Sequence, residues 1–437
     1  MARQGGVSRR GFLKGAAAAV AAPYVLTSSA LGGPDEEAAS NRVGMGCIGV
    51  GRMGMEDLRG FLGRTQIVAV CDVDANRAAR AKEEVEKHYA SRLRQGEYKG
   101  CAAYGDFRDL VARDDIDAVL VVTPDHWHVI ATLEACRHGK DVYVEKPLSL
   151  TIREGQAVVE AVRRYGRVLQ VGSQQRSDAQ FRFACELVRN GRIGRVQTVR
   201  VGLPTDPGTT VQPVMPVPDG LDYDFWLGPA PWAPYTVERV HPQKGYGRPG
   251  WLRISDYSGG MMTGWGAHHV DIAQWGLGTE RTGPIEIEGR GEFPSDGLWD
   301  VHGKFRVECR YADGIRMIID DGPNGVRFEG TEGWVFVTRG SMDAEPKSLL
   351  KETLGPGEVH LVKSVNHQEN FIACVRSRQD PVANVEAGHR SATICHLGNI
   401  AMGLKRPLRW DPVKEEFPGD AEANRWLDRP KREPWRI

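Results

Sequence analysis

Six residues constrain this chain more than any others: Gly49-Val50-Gly51-Arg52-Met53-Gly54, a G-x-G-x-x-G between two apolar segments. Residues 42–50 (RVGMGCIGV) read as a buried strand, 55–62 as a helix, and 66–71 (QIVAVC) as a second strand closed by Asp72. Gly49 permits the tight turn out of the strand, Gly51 lets a pyrophosphate approach the backbone, and Gly54 lets helix pack closely on strand. The helix start, with Arg52 and Met53 behind Gly51, offers free N–H groups and the positive end of its dipole to phosphate. Asp72 follows Gly54 by 18 residues, a spacing from which an acid reaches ribose hydroxyls. A glycine motif alone means little in a chain with 52 glycines; strand, glycines, helix, strand and acid together predict a dinucleotide site. A carboxylate at 72 repels a 2′-phosphate, so NAD is the predicted cofactor ahead of NADP, with nearby Arg77 as a counterweight.

The alternation continues. Helical character returns at 81–93, 107–112, 129–137 and 151–164, and strand character at 117–123 (DAVLVVT), 141–145 (DVYVE) and 167–172 (RVLQVG). Strands separated by helices imply right-handed crossovers and a parallel sheet. Ligands then sit at the carboxyl ends of the strands, where Thr123, Pro124, His128, Glu145, Lys146 and Gln174 join the glycine loop and Asp72. A Rossmann domain over residues 42–172 is expected.

Charge and cysteines narrow the class. Lys+Arg and Asp+Glu are both 57, which gives no basic footprint for nucleic acid. The eight cysteines include no C-x-x-C pair and read as small buried residues. The histidine pairs His126/His128 and His268/His269 lack the cysteine or carboxylate spacing of a zinc set, so no metal is expected.

Residues 1–30 read as an address. Ser8-Arg9-Arg10-Gly11-Phe12-Leu13-Lys14 precedes a short apolar run and the small residues Ser28-Ser29-Ala30, the pattern of a twin-arginine signal peptide. Residues 31–41 follow as a leader. The expectation is export to the periplasm or beyond, with no membrane span in the mature protein.

The strings GVGRMG, CDVD, TPDHWH, EKP and HHVD, with NHQENF, residues 385–397 and the tail RPKREPW, resemble the glucose–fructose oxidoreductase, inositol dehydrogenase and MocA (Gfo/Idh/MocA) family, in an exported bacterial subgroup. The resemblance covers the whole mature chain. It implies a second, α+β domain over residues 173–410 with a large open, mainly antiparallel sheet, to which 303–311 and 314–320 contribute half-buried strands. Residues 203–251 form an insertion, either a lid over the cleft or a surface clamp, and 411–437 a tail packed on the domain. The resemblance also implies a carbohydrate substrate and a homo-oligomer, dimer or tetramer.

It assigns roles too. Lys146 of the EKP string is the residue that meets the substrate hydroxyl and the cofactor ribose. His268 aligns with a catalytic histidine that in relatives follows an Asp by four residues. Gly264 stands at that Asp position here, so the polar partner of His268 is expected from Asp271, one helical turn beyond it, or else from Asp256 or Tyr257. Trp127 either covers the cofactor or packs in the core. The leading expectation is an exported NAD-dependent oxidoreductase of a sugar or cyclitol hydroxyl with tightly held cofactor. An NAD-dependent glycoside hydrolase acting through transient oxidation, and a non-catalytic sugar-binding protein with a vestigial cofactor site, stay open beside it.

Overall fold

The computed structural model describes residues 42–90, 100–205 and 208–437. The chain divides into two units, Met1–Val43 and Gly44–Ile437, and both sheets lie in the second. The expected signal peptide and leader, residues 1–41, lie outside the described residues.

Six short strands carry the first half: β1 (Gly44–Ile48), β2 (Gln66–Cys71), β3 (Ala102–Tyr104), β4 (Ala118–Val121), β5 (Asp141–Val144) and β6 (Leu169–Val171). They pair in parallel in the order β3-β2-β1-β4-β5-β6. Strands β1, β4, β5 and β6 are buried along their whole length, as befits a parallel sheet covered on both faces. The helices are α1 (Arg52–Leu62), α2 (Ala75–Ala90), α3 (Phe107–Val111), α4 (Asp125–Arg137) and α5 (Ile152–Tyr165). A capping box between Thr151 and Glu154 starts α5, and Gly166 in the left-handed region ends it.

Three details depart from the sequence reading. β3 is a three-residue edge strand with no apolar run to announce it. α2 begins at Ala75 because the Asp74 carboxylate accepts from the N–H of Asn76 and Arg77. α4 begins at Asp125, so the histidines of the TPDHWH string lie in its first turns.

The second half carries an eight-stranded sheet: β7 (Val196–Gly202), β8 (Glu286–Gly291), β9 (Phe305–Arg310), β10 (Arg316–Asp320), β11 (Gly325–Gly330), β12 (Trp334–Thr338), β13 (Ser341–Glu345) and β14 (Leu408–Arg409). The order is β13-β12-β11-β7-β10-β9-β8-β14. Only the β7–β10 pair is parallel. Alternation decides its faces. Phe305, Val307 and Cys309 point into the core while Arg306 and Arg310 stay exposed. Helices α6 (Ala179–Arg189), α7 (Tyr223–Leu227), α8 (Gly260–Gly264), α9 (Gly266–Leu277), α10 (His367–Ser377), α11 (Val385–Leu404) and α12 (Ala421–Arg425) complete the α-helices described in this half. α6, α9 and α11 pack on the apolar face of the sheet. The opposite face carries cross-strand ion pairs such as Arg316–Glu308 and Arg306–Asp320.

α9 is buried from Gly266 to Gly276, and its polar side chains His268, His269, Asp271 and Gln274 are buried with it. α11 is almost as deeply buried and touches α5 and β6 of the first sheet as well as β8 and β9 of the second. The tail crosses back to the first half. Lys431 pairs with Glu154 of α5, and the Arg432 N–H donates to the Pro229 carbonyl. Trp435 stacks on Phe225 and meets the edge of Trp127 at 4.6 Å between centroids. All eight cysteines are free and buried. Among the described residues no helix is long and apolar enough to cross a membrane.

Candidate active site

The carboxyl ends of β1, β2, β4 and β5 open into a cavity of about 820 Å³. Of the residues given a site role from the sequence, Gly54 and Asp271 stay outside it, as do His126 and His269 of the histidine pairs.

Its floor is the glycine loop. Gly49 has φ +81°, and a Cβ there would lie 2.5 Å from the Val122 carbonyl oxygen. A Cβ on Gly54 would lie 2.0 Å from the Gly49 oxygen, so helix and loop are in direct backbone contact. Gly51 faces open space, its nearest neighbour Arg77 Nη1 at 3.6 Å. It caps α1 without any side-chain hydrogen bond, leaving the first-turn N–H groups for an anion. Arg52 and Met53 are exposed on that turn.

Asp72 accepts from the Val50 N–H (2.9 Å) and the Asp74 N–H (2.9 Å). Burial pushes its carboxyl pKa up, and those two N–H groups pull it down. Arg77 is buried nearby, but its charge is already answered. It lies 3.7 Å from Asp74, and it donates to the Pro242 carbonyl. A guanidinium neutralised in this way offers little to a 2′-phosphate. The bare helix start, the open glycine and the acid at the end of β2 fit the pyrophosphate and ribose of NAD.

At the far end lies an ionisable cluster. Glu145 accepts from Gln174 Nε2 (2.7 Å) and from the Lys146 N–H (3.2 Å). Burial raises the pKa of Glu145 and of Asp57, which sits on the buried stripe of α1 with Oδ2 unbonded. Burial also pushes Asp125, the first residue of α4, up to about 7, against the pull of the Lys146 charge. The Lys146–Pro147 peptide is cis. Lys146 Nζ makes no hydrogen bond or ion pair with any described residue, yet its charge is felt by Asp57, Asp125, Glu145, His128 and His268.

His128 lines the cavity but turns both ring nitrogens to the backbone, Nδ1 to the Pro147 oxygen (2.7 Å) and Nε2 to the Thr123 oxygen (2.9 Å). Burial lowers its pKa to about 4, so the ring is neutral and donates to one carbonyl at a time. It clamps the turn after β5 to the end of β4. Trp127 Nε1 donates to the Trp226 oxygen, and its ring belongs to the aromatic cluster with Phe107, Phe225 and Trp435.

The expected His268–Asp271 pairing is corrected by the structure. Asp271 forms a buried two-pronged ion pair with Arg176 and accepts from Ser391 Oγ. The helical turn that separates it from His268 points it at Arg176, in the segment between β6 and α6, and at α11 instead of the cavity. His268 meets a cation. Arg339 Nη2 donates to His268 Nε2 at 3.3 Å, while Nδ1 is buried without a partner. Burial, then the charges of Lys146 and Arg339, hold the ring far below the usual histidine range. His268 is therefore neutral, with its proton on Nδ1. His269 turns away, stacks on Trp265 and bonds Asn324.

Sequence reasoning missed Arg339 and Asp57, and gave no role of their own to Asp125 and Gln175, whose segments it placed at the ligand end of the sheet; both atoms of the buried Gln175 amide are without a hydrogen bond. Asp57 carried a signal: it falls between Gly54 and Phe61 on the apolar face of α1. Arg339 carried none, because it arrives on the β12–β13 turn from 71 residues beyond His268. The insertion forms a wall, with Phe225, Trp226, His241 and Trp251 on the cavity, while Trp232 of its PAPWAPY string is 69% exposed.

Residues 43–173 match the oxidoreductase family model for an NAD-binding Rossmann fold, and residues 205–437 match that family's C-terminal alpha/beta domain. The chain belongs to the Gfo/Idh/MocA oxidoreductase family. Its cofactor is NAD. This Gfo/Idh/MocA chain is 34% identical over 154 residues to inositol 2-dehydrogenase of Burkholderia multivorans, covering 34% of this chain and 42% of that one. It is 32% identical over 176 residues to a glycosyl hydrolase family 109 protein of Shewanella baltica, covering 36% and 37%. The aligned stretch thus spans less than half of either relative. A solved WlbA dehydrogenase from Bordetella pertussis, in complex with NADH and UDP-GlcNAcA, has the same fold, with a TM-score of 0.61 and 17% identity over 85% of this chain and 99% of that one.

Proposed function

We propose that the protein oxidises a hydroxyl of a sugar or cyclitol, with Lys146 as the residue that takes the hydroxyl proton. The observation that carries this reading is the unpaired Lys146 ammonium on the cavity that also holds the glycine loop, Asp125 and His268. When bound, NAD supplies the hydride acceptor. The chain's own residues do the rest. Asp125, pushed up to about 7 by burial, shares the cavity with Lys146 as a second proton-accepting group. Neutral His268 lines the cavity with its Nε2 engaged by Arg339. Trp251 lines the cavity as a flat apolar surface for a sugar ring. The inositol dehydrogenase relative and the nucleotide-sugar complex of the WlbA dehydrogenase support a polyhydroxylated substrate.

A second reading rests on the glycosyl hydrolase family 109 relatives: the same oxidation, made transient, labilises a glycosidic bond and is then reversed. The two separate when purified protein is mixed with free sugars, myo-inositol and nitrophenyl glycosides while nicotinamide absorbance is followed. Net reduction of the bound cofactor supports the oxidoreductase. Nitrophenol release without net reduction supports the hydrolase. Silence in both channels over the panel overturns both and leaves a binding protein.

Export belongs to this reading as well. The twin-arginine string of residues 8–14 supports it, and a cofactor held tightly enough to travel with the folded protein suits an enzyme far from cytoplasmic NAD. Fractionation of cells carrying the Arg9→Lys, Arg10→Lys variant tests the route: retention of the variant in the cytoplasm is the expected result. Assembly into a dimer or tetramer is part of the proposal, and light scattering of the purified protein measures it.

A further inference from the structure

We infer that residues 241–249 of the insertion form a latch over the adenosine half of the NAD site, shut by His241 against Asp74 and by Tyr246 against Arg77 and Arg80, and that NAD exchanges only when this loop lifts. The inference rests on the reading of a retained cofactor and deepens it; it does not depend on which sugar is oxidised.

The argument starts at Asp72. An acid closing the second strand of a dinucleotide fold marks the adenosine ribose, so the residues just after it border the adenosine half. The insertion docks there. The Asp222 N–H donates to the Val73 carbonyl (2.9 Å) and the Ala75 N–H to the Gly220 carbonyl (2.8 Å), and Asp74 pairs with Leu221 as an isolated antiparallel bridge. This part of the insertion is anchored by a small core that includes Leu221, Tyr223, Trp226, Val240 and Ile254.

The loop from 241 to 249 is held differently. Val240 and Ile254 are buried, but every side chain between them keeps some exposure. Its ties to the first half are polar or aromatic. His241 Nε2 donates to Asp74 Oδ2 at 3.1 Å, and Arg77 Nη2 donates to the Pro242 carbonyl at 3.0 Å. Asp74 serves twice, since its Oδ1 also caps the start of α2. The guanidinium groups of Arg77 and Arg80, three residues apart on α2, lie over the Tyr246 ring at 5.1 and 4.8 Å. Contacts of this kind open at lower cost than a buried apolar core.

The loop also spans the cleft. His241, Arg248 and Pro249 line the cavity together with Asp72, Val73 and Arg77. Arg248 Nη2 reaches Met261 Sδ of α8 at 3.9 Å, so the loop runs from α2 on the cofactor side to the helix before that of His268. Arg248 brings a positive charge to this wall, which suits a pyrophosphate. An NAD seated on the glycine loop and Asp72 leaves on the adenosine side by breaking the His241 and Tyr246 contacts.

Cofactor exchange tests this without any sugar. Protein equilibrated with radiolabelled NAD is mixed with a large excess of unlabelled NAD, and the retained label is followed over time; uptake of label by NAD-free protein gives the opposite rate. Three variants accompany the native protein: His241→Ala with Tyr246→Ala, the single Tyr246→Ala, and His241→Gln with Tyr246→Phe, which keeps a hydrogen-bond donor and the ring. Asp74 is left in place because it also caps α2. The alanine pair is expected to release label about tenfold or more faster than the native protein, and to take up NAD faster by a similar factor, so that Kd moves less than about threefold. Tyr246→Ala alone should speed both rates by at least about threefold, and the conservative pair should stay within about twofold of native. Should the alanine pair fail to fold, the single variant is read by the same criteria. Faster release with unchanged uptake would mean that these side chains hold NAD directly, and would overturn the latch. Release as slow in the alanine variants as in the native protein would leave a retained cofactor but remove the loop as its cause. Release from the native protein within the mixing time would overturn retention and latch together, while leaving sugar oxidation to its own assay.

Discussion

Arg176 and Asp271 meet in a buried, two-pronged ion pair, Nε to Oδ2 at 2.6 Å and Nη2 to Oδ1 at 2.9 Å. Both side chains are almost wholly withdrawn from solvent. The pair ties α9, the helix of His268, to the segment that follows β6, and Glu280 adds a third charge on Arg176 Nη1.

Removing one partner of such a pair strands the other. Asp271→Ala is expected to cost about 3 kcal/mol, the lower end for a broken buried pair because Glu280 remains. Urea unfolding of the NAD-free protein measures this. An unchanged midpoint would mean that the pair contributes nothing to stability.

Lys146→Met should leave the cofactor site intact and remove the chemistry. A fall in kcat of about 10²–10⁴-fold is expected for loss of a proton acceptor, with the Kd for NAD within about threefold of the native value. Near-native turnover would remove Lys146 from the mechanism.

Asp72→Ala should weaken NAD binding about 10–100-fold, the loss expected for a charge-assisted hydrogen bond. It should also narrow the preference for NAD over NADP, because the repelling carboxylate is gone. Titration with both cofactors reads the two effects. An unaltered NAD to NADP ratio would show that discrimination lies elsewhere.

Asp125 gives a signed pH dependence. Burial raises its carboxyl from the usual carboxylate range to about 7, so between about pH 4 and pH 7 the folded protein keeps a proton that the unfolded chain has lost. Its contribution to stability is therefore greatest at low pH, falls as pH rises through that window, and levels off above it. In Asp125→Asn the contribution vanishes, and the Tm of the variant should gain on the native protein as pH rises from 4 to 7. The rate of substrate oxidation should rise through pH 7 in the native protein as the carboxylate forms. Parallel Tm profiles for the two proteins would exclude a titrating Asp125 in this range.

Gly264 lines the cavity, and a Cβ built there meets nothing within 4 Å. Gly264→Asp should fold normally, and the new carboxylate should raise the His268 pKa by answering the Arg339 and Lys146 charges. Imidazole NMR shifts followed against pH test this. No movement of the His268 titration would place the new side chain out of its reach.

The legible parts of the site were those whose neighbours in space are also neighbours in the chain. Gly49, Gly51 and Gly54 are each needed within one strand–turn–helix, so their spacing reports their geometry directly. Lys146 was readable because it closes a strand on the cofactor side of the sheet. Asp271 misled because helical spacing speaks of one helix only: the turn shared with His268 could not reveal Arg176, 95 residues earlier in the chain. Arg339 was illegible for the same reason in reverse, as its role exists only once a hairpin tip has docked. Among strands, β9 and β10 announced themselves by alternation, whereas β3 is too short to hold a pattern.

The packing of Trp435 against Trp127 and Phe225 has a temporal meaning. The α4 side of the cofactor cleft is sealed by a ring that leaves the ribosome long after the glycine loop has formed. During synthesis that wall stands ajar, and secure retention of the dinucleotide must wait until Trp435 has emerged and docked. A tag or truncation there would therefore show itself first as cofactor leakage, well before any loss of the two sheets.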